Sequence, residues 1–183
     1  MRGRMQGAVA CVAVLGSVAA AAGFWGWSLD QRSPAPNGPP PQAPESPFAA
    51  VSDCGHDGTR AVRRALGAEA QGSSLAERYA FDPGDGVDAV RLLSLAERCY
   101  DAAGRSDDVA RMRRSLAQLE AMVLADYKRT LLRLRYFLRR GQHAQAKAEA
   151  QSLRRMLLHR SGIFRGWLDR IVSKSAKPAQ PAT

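Results

Sequence analysis

Between Arg105 and Arg140 the chain reads RSDDVARMRRSLAQLEAMVLADYKRTLLRLRYFLRR, a stretch without glycine or proline. Apolar residues recur along it at Val109, Met112, Leu116, Leu119, Val123, Tyr127, Leu131, Leu134 and Leu138. Their mean spacing of about 3.6 residues is the period of a straight α-helix, whereas a heptad coiled coil holds 3.5. The stretch therefore predicts one long amphipathic helix, or two helices joined by a tight turn near residues 124–126 with Asp126 as a cap.

Shorter helices are predicted on both sides of this stretch. Good helix formers dominate the chain from residue 51 onward, and no segment alternates apolar and polar residues as a strand does. Glycine- and proline-containing breaks divide it into helices predicted at residues 57–71, 74–81, 87–103, 142–159 and 163–172. In the first helix Ala61, Ala65 and Leu66 are assigned to the inward face. The predicted fold class is all-α, with one helical domain at residues 51–173.

The N-terminus carries a targeting pattern. Arg2 and Arg4 precede an uncharged apolar run at residues 7–29, which is long enough to cross a bilayer as a helix. This order predicts a cytoplasmic segment at residues 1–6, a transmembrane anchor at 7–29 and an extracytoplasmic domain, periplasmic in a bacterium. The alternative is a cleaved signal peptide, with the small residues Ala20–Ala22 as the cleavage region and a secreted product.

Two further segments are predicted to lie outside the helical domain. Residues 30–50 are rich in proline, which removes backbone donors and favours an extended, semi-rigid chain. This linker is expected to hold the domain clear of the bilayer. Residues 174–183, with Pro178 and Pro181, are expected to form a disordered tail.

Two cysteines, Cys54 and Cys99, follow the apolar run. In an oxidising compartment such an even pair is a candidate disulfide. The alternative is two separate buried thiols, because a pair 45 residues apart forms no motif of its own.

Charge is distributed unevenly along the chain. The net charge is +10. Residues 51–108 hold 7 Lys or Arg against 11 Asp or Glu, a balance of −4, whereas residues 109–183 hold 17 against 4, a balance of +13. Such asymmetry bears on partners rather than on the fold. The predicted basic surface comprises Lys128, Arg129, Arg133, Arg135, Arg139, Arg140, Arg154 and Arg155.

The sequence assembles no catalytic, metal or cofactor motif. The histidines, His56, His143 and His159, belong to no metal-binding pattern, and no phosphate-binding or nucleophile motif is present. The acidic cluster Asp82, Asp85 and Asp88 lacks the ligand alternation of an EF-hand and is assigned to turn and cap chemistry. The chain is therefore predicted to be non-enzymatic, with no cofactor.

A weak internal repeat relates two turns at an offset of 37 residues. CYDAAGRSDDV at 99–109 aligns with YFLRRGQHAQA at 136–146, which matches an aromatic, a turn glycine and a following small or apolar residue. This resembles tetratricopeptide-type helical repeats, although Glu97 and Leu134 replace the expected small residue and the terminal proline is absent. The resemblance implies stacked antiparallel helical hairpins, with Tyr100, Tyr136 and Phe137 as partner-binding residues in their groove.

The predicted function is that of a membrane-anchored adaptor that binds partner proteins of a membrane-associated complex. The alternative is that the basic C-terminal half binds an anionic lipid surface or another polyanion. Export from the cytoplasm argues against a nucleic acid as the partner.

Overall fold

Five α-helices follow one another in the computed structural model, which describes residues 39–55 and 57–174. They are α1 (Gly58–Arg78), α2 (Pro83–Ala102), α3 (Ser106–Arg139), α4 (His143–Met156) and α5 (Ile163–Lys174). No strand occurs among the described residues, so this part of the chain is all-α. None of its helices has both the length and the apolar character that a bilayer crossing requires. The predictions for residues 1–6, 7–29 and 30–38, and for residues 175–183 of the tail, lie outside the described residues, whereas Lys174, predicted to begin the tail, is the last residue of α5.

The long helix α3 packs against both α2 and α4 and connects the two ends of the fold. It is a single helix of 34 residues, about 50 Å long, and Asp126 lies inside it instead of capping a second helix. The α1–α2 hairpin lies along its N-terminal half, where Arg113 donates to Glu97 of α2 at 2.7 Å. Helix α4 runs back along the C-terminal half, where Arg133 pairs with Glu149. The inner stripe of α3 is buried at Val109, Met112, Leu116, Leu119, Val123, Tyr127 and Leu134.

Helix α1 corrects the prediction of two helices separated at Gly72. The helix continues through that glycine, which is buried against α2. A Cβ at this position would lie 2.9 Å from Leu93 Cγ, so the missing side chain permits close packing of the two helices. Leu66 is also corrected, because it is 56% exposed instead of facing inward, whereas Ala61 and Ala65 are fully buried as predicted.

The two turns of the internal repeat have the same geometry. Gly104 and Gly141 have φ of +69° and +68°. In each turn the residue after the glycine donates its N–H to the aromatic's carbonyl, Arg105 to Tyr100 and Gln142 to Phe137, both at 2.9 Å. This six-to-one hydrogen bond ends a helix in a Schellman motif. The turn that would separate successive tetratricopeptide units is replaced by the unbroken α3.

The chain before α1 forms a strap on the helices. Residues 39–55, here called the strap, are non-helical, and Pro47 is among the fully buried residues. Ala43 and Phe48 are partly buried against the core. Residues 39–50 of the predicted linker therefore pack against the helices, whereas the expectation that the linker holds the domain clear of a bilayer stays a prediction. Proline content predicts an extended backbone, but it does not predict whether that backbone packs against the domain.

Candidate interaction surface

The strap lies along α2 and α3, and two side chains bind its backbone. The Tyr127 hydroxyl of α3 donates to the Pro44 carbonyl at 2.8 Å. Arg160, which follows α4, donates to the Phe48 carbonyl at 2.6 Å. Residues 48–51 of the strap line a cavity of about 280 Å³ together with residues of α2 and Glu120 of α3. The strap thus covers part of the face that α2 and α3 form.

A disulfide attaches the end of the strap to α2. Cys54 and Cys99 are bonded, with their Cα atoms 4.9 Å apart, so the structure contains the first of the two alternatives drawn from the sequence. Cys54 is 5% exposed and Cys99 is fully buried. Nearby, Arg98 pairs with Asp53 at 2.9 Å. The strap is therefore held covalently at one end and by hydrogen bonds along its length.

Tyr100 belongs to the core and not to an open groove, which corrects its expected exposure to a partner. Its side chain is 1% exposed, and its hydroxyl donates to Glu69 of α1 at 2.6 Å. Arg111 of α3 also binds Glu69, so the three residues connect three helices. Burial and the bond to Glu69 raise the pKa of Tyr100 to about 12. The hydrogen bond from Arg111 lowers the pKa of Glu69.

Tyr136 and Phe137 take different positions at the end of α3. Tyr136 is 49% exposed, whereas Phe137 is partly buried against the core. Their rings meet edge to face with centroids 5.5 Å apart, and the Arg140 guanidinium lies 5.9 Å from the Tyr136 centroid. Of the three aromatic residues predicted to bind a partner, Tyr136 therefore has the most exposed side chain.

The predicted basic residues divide into two groups. Six are exposed at the C-terminal end of α3: Lys128, Arg129, Arg133, Arg135 and Arg139 lie on the helix, and Arg140 directly follows it. The other two, Arg154 and Arg155, belong to α4. Arg155 pairs with Asp82 at 3.3 Å, and Arg154 lies 2.5 Å from Asp169, close enough for an ion pair but not aligned for a hydrogen bond.

The α3 group retains unpaired charge. Arg129 pairs with Asp126, and Arg133 pairs with Glu149. Lys128, Arg135 and Arg139 form no ion pair with any residue of the described part. Exposed cations without partners are available to an anionic ligand.

The outer side of α3 carries an apolar stripe that the sequence pattern does not predict. Three large apolar side chains are exposed there, Met122 at 46%, Leu132 at 65% and Tyr136 at 49%. They lie on the side of the helix opposite the inner stripe. Because basic residues are interleaved with them, the sequence alone shows a charged surface. The stripe becomes visible once the buried positions of α3 are known.

A cleft of about 440 Å³ between α2 and α4 is lined by side chains of both charges. Asp82 caps α2 by accepting from Gly84 N at 2.8 Å, as the assignment to cap chemistry predicts. Asp85 pairs with Arg78 at 3.0 Å, and Asp88 lies 2.6 Å from His159. Its carboxylates are thus engaged within the fold. Among the described residues, no cluster of histidine, cysteine or acidic side chains is arranged to hold a metal ion.

Comparisons with protein-family models, with curated proteins and with solved structures each found no match.

Proposed function

We propose that this protein is a non-enzymatic adaptor that binds a partner protein through the outer side of α3. The observation that carries the proposal is the coincidence of exposed apolar side chains, Leu132 and Tyr136, with three unpaired cations, Lys128, Arg135 and Arg139. Aromatic and arginine side chains with an apolar centre are the usual anchors of protein interfaces. This surface has that composition.

The other surfaces of the domain support the same choice. The strap covers part of the face that α2 and α3 form, and the carboxylates in the α2–α4 cleft pair with basic side chains. The aromatic face of α5 is also unavailable, since Phe164 and Trp167 are 7% and 5% exposed. The outer side of α3 remains exposed over its whole C-terminal half.

The proposal places this domain outside the cytoplasm, with residues 7–29 as its anchor. A disulfide between Cys54 and Cys99 is compatible with an oxidising compartment. The tetratricopeptide-like stacking of hairpins is part of the same proposal. Two turns of equal geometry support it, although the continuous α3 departs from such a stack.

A second candidate function is binding to an anionic lipid surface or polyanion. The unpaired cations of α3 and the balance of +13 over residues 109–183 favour it. Binding to phosphate groups weakens steeply with salt, whereas an interface with an apolar centre retains affinity. Salt dependence therefore separates the two functions.

The test is a crosslinking pulldown from membranes with the full-length protein, washed at low and at high salt. The adaptor function predicts specific proteins retained at high salt and lost with Leu132→Asp. The matched control is Leu66→Asp, which changes another exposed leucine, on α1. Retention of only heterogeneous, salt-sensitive material would support the second candidate and contradict the adaptor.

A further inference from the structure

The spacing of the outer side of α3 is that of a helix-pairing seam. The outer stripe consists of Met122, Ala125, Arg129, Leu132 and Tyr136, and all five are exposed. Their intervals are 3, 4, 3 and 4 residues, which is the a/d pattern of a heptad repeat. The inner stripe has the longer mean spacing of a helix buried in a globular core. The two sides of α3 therefore follow different periods.

The outer stripe is narrow. At about 100° per residue its five positions span about 80° around the helix. A helix that packs on a core or lies in a lipid interface carries an apolar face of at least about 100°, whereas a coiled-coil seam is narrower. The stripe also contains Arg129, which pairs with Asp126 and whose aliphatic stem can lie along a seam. This geometry favours another helix over a bilayer.

The residues that flank the outer stripe indicate the charge that a partner helix would carry. Lys128 and Arg135 occupy the positions before the a residues Arg129 and Tyr136, and Arg133 occupies the position after the d residue Leu132. Arg140 follows Arg139, which occupies the next d position beyond the stripe. Asp126 is the one acidic residue among the flanks of these heptads. Flanking charges set partner choice in coiled coils. A second copy of α3 would oppose cations with cations in either orientation, so the flanks disfavour self-association.

One anchor residue of the seam, Tyr136, is held in place by its neighbours. Tyr136 contacts the ring of Phe137, which itself packs on the core, and Arg140 lies over the Tyr136 ring. A side chain held in place before binding loses little conformational freedom when a partner docks. Tyr136 is therefore a preorganised anchor at the C-terminal end of the seam.

We infer that the outer stripe binds an acidic amphipathic helix of a partner protein, in a short two-helix coiled coil. The inference rests on the proposed adaptor function and adds the class of partner. Apolar residues of the partner would contact Leu132 and Tyr136, and its glutamates or aspartates would pair with Lys128, Arg135 and Arg140.

The test uses two synthetic helical peptides and the folded full-length protein. Both peptides carry leucine and isoleucine at the a and d positions, with glutamate at e and g in one and lysine in the other. Fluorescence anisotropy is expected to show binding of the glutamate peptide and no binding of the lysine peptide. Leu132→Ala and Tyr136→Ala should each weaken binding by roughly tenfold, the usual effect of truncating a central anchor. The control Leu66→Ala should leave the affinity unchanged.

Three results would overturn the inference. They are the absence of glutamate-peptide binding, equal binding of both peptides, and glutamate-peptide binding that is insensitive to Leu132→Ala. A further result would also overturn the inference. If phosphatidylglycerol vesicles displace the glutamate peptide, and if Leu132→Ala does not change this displacement, the surface binds lipid. If the pulldown retains proteins in a Leu132-dependent way while the peptide fails, the adaptor function stands and only the helical partner is rejected.

Discussion

The two sides of α3 are built from similar residues but have opposite environments. Leu134, on the inner side, is 1% exposed, and Leu132, two positions earlier, is 65% exposed. The inner side is covered by α2, α4 and the strap, whereas no described element covers the C-terminal half of the outer side. Helix α3 therefore has more large apolar side chains than the fold of this domain buries. Exposed apolar side chains of this kind are what a binding surface requires.

Paired leucine substitutions test this comparison most strongly. Leu134→Ala should lower the free energy of unfolding by about 4 kcal/mol, because it leaves a cavity in the core. Leu132→Ala should change it by less than about 0.5 kcal/mol, as expected for an exposed site. Urea denaturation followed by circular dichroism measures both. A destabilisation of similar size in the two variants would show that the outer side is also packed.

Removal of the disulfide tests the covering of the inner side. The double variant Cys54→Ser and Cys99→Ser should lose about 3 kcal/mol, because a bridge across 45 residues restricts the unfolded chain. The strap should then become more sensitive to limited proteolysis, while the glutamate peptide should bind α3 as before. A parallel loss of peptide binding would contradict the independence of the two sides.

Two arginines of α3 allow a paired and an unpaired charge on the same helix to be compared. Arg133→Ala should cost about 2 kcal/mol, because Glu149, whose side chain is 9% exposed, would lose its cationic partner. Arg135→Ala should leave stability nearly unchanged, since exposed charges contribute little, but it should weaken glutamate-peptide binding. Thermal unfolding and anisotropy of both variants measure this separation. Equal thermal shifts would contradict it.

The smallest effect is expected at alkaline pH. The pKa of Tyr100 is raised from 10.0 to about 12, so between these values the folded state keeps a proton that the unfolded state releases. This contribution is complete below pH 10 and is lost as the pH rises towards 12. After allowance for solvent screening through exposed Arg111, it amounts to about 1 kcal/mol. Urea denaturation across this range should show a shallower decline in Tyr100→Phe, and an unchanged decline would remove Tyr100 as a cause.

The buried side of the fold was predictable because burial follows helical periodicity. The inner stripe of α3 and Ala61 and Ala65 of α1 were assigned correctly from spacing alone. Spacing could not show that Gly72 lies against Leu93, since that depends on how closely α1 approaches α2. Gly72, which the sequence predicts to end a helix, is a packing residue inside α1 in the structure.

The candidate site was less accessible to sequence analysis. The basic residues of α3 are evident from the sequence, whereas Tyr100 is predicted to bind a partner in a groove because its aromatic ring matches a repeat pattern. Its hydroxyl instead donates to Glu69, which Arg111 also binds, and both residues are distant from Tyr100 or from each other in sequence. The outer stripe was hidden because a seam of two heptads interleaved with arginine resembles a solvated face. Only the position of the neighbouring helices shows which side remains uncovered.

The strap also has a consequence for the order of folding. Its contacts join residues 45, 83 and 112 positions apart, whereas the hairpins α1–α2 and α3–α4 form between neighbours in sequence. Contacts of large sequence separation form late, because the intervening chain must first be ordered. The strap is therefore expected to dock last, although it precedes all five helices in the sequence, after the helices that receive it have assembled.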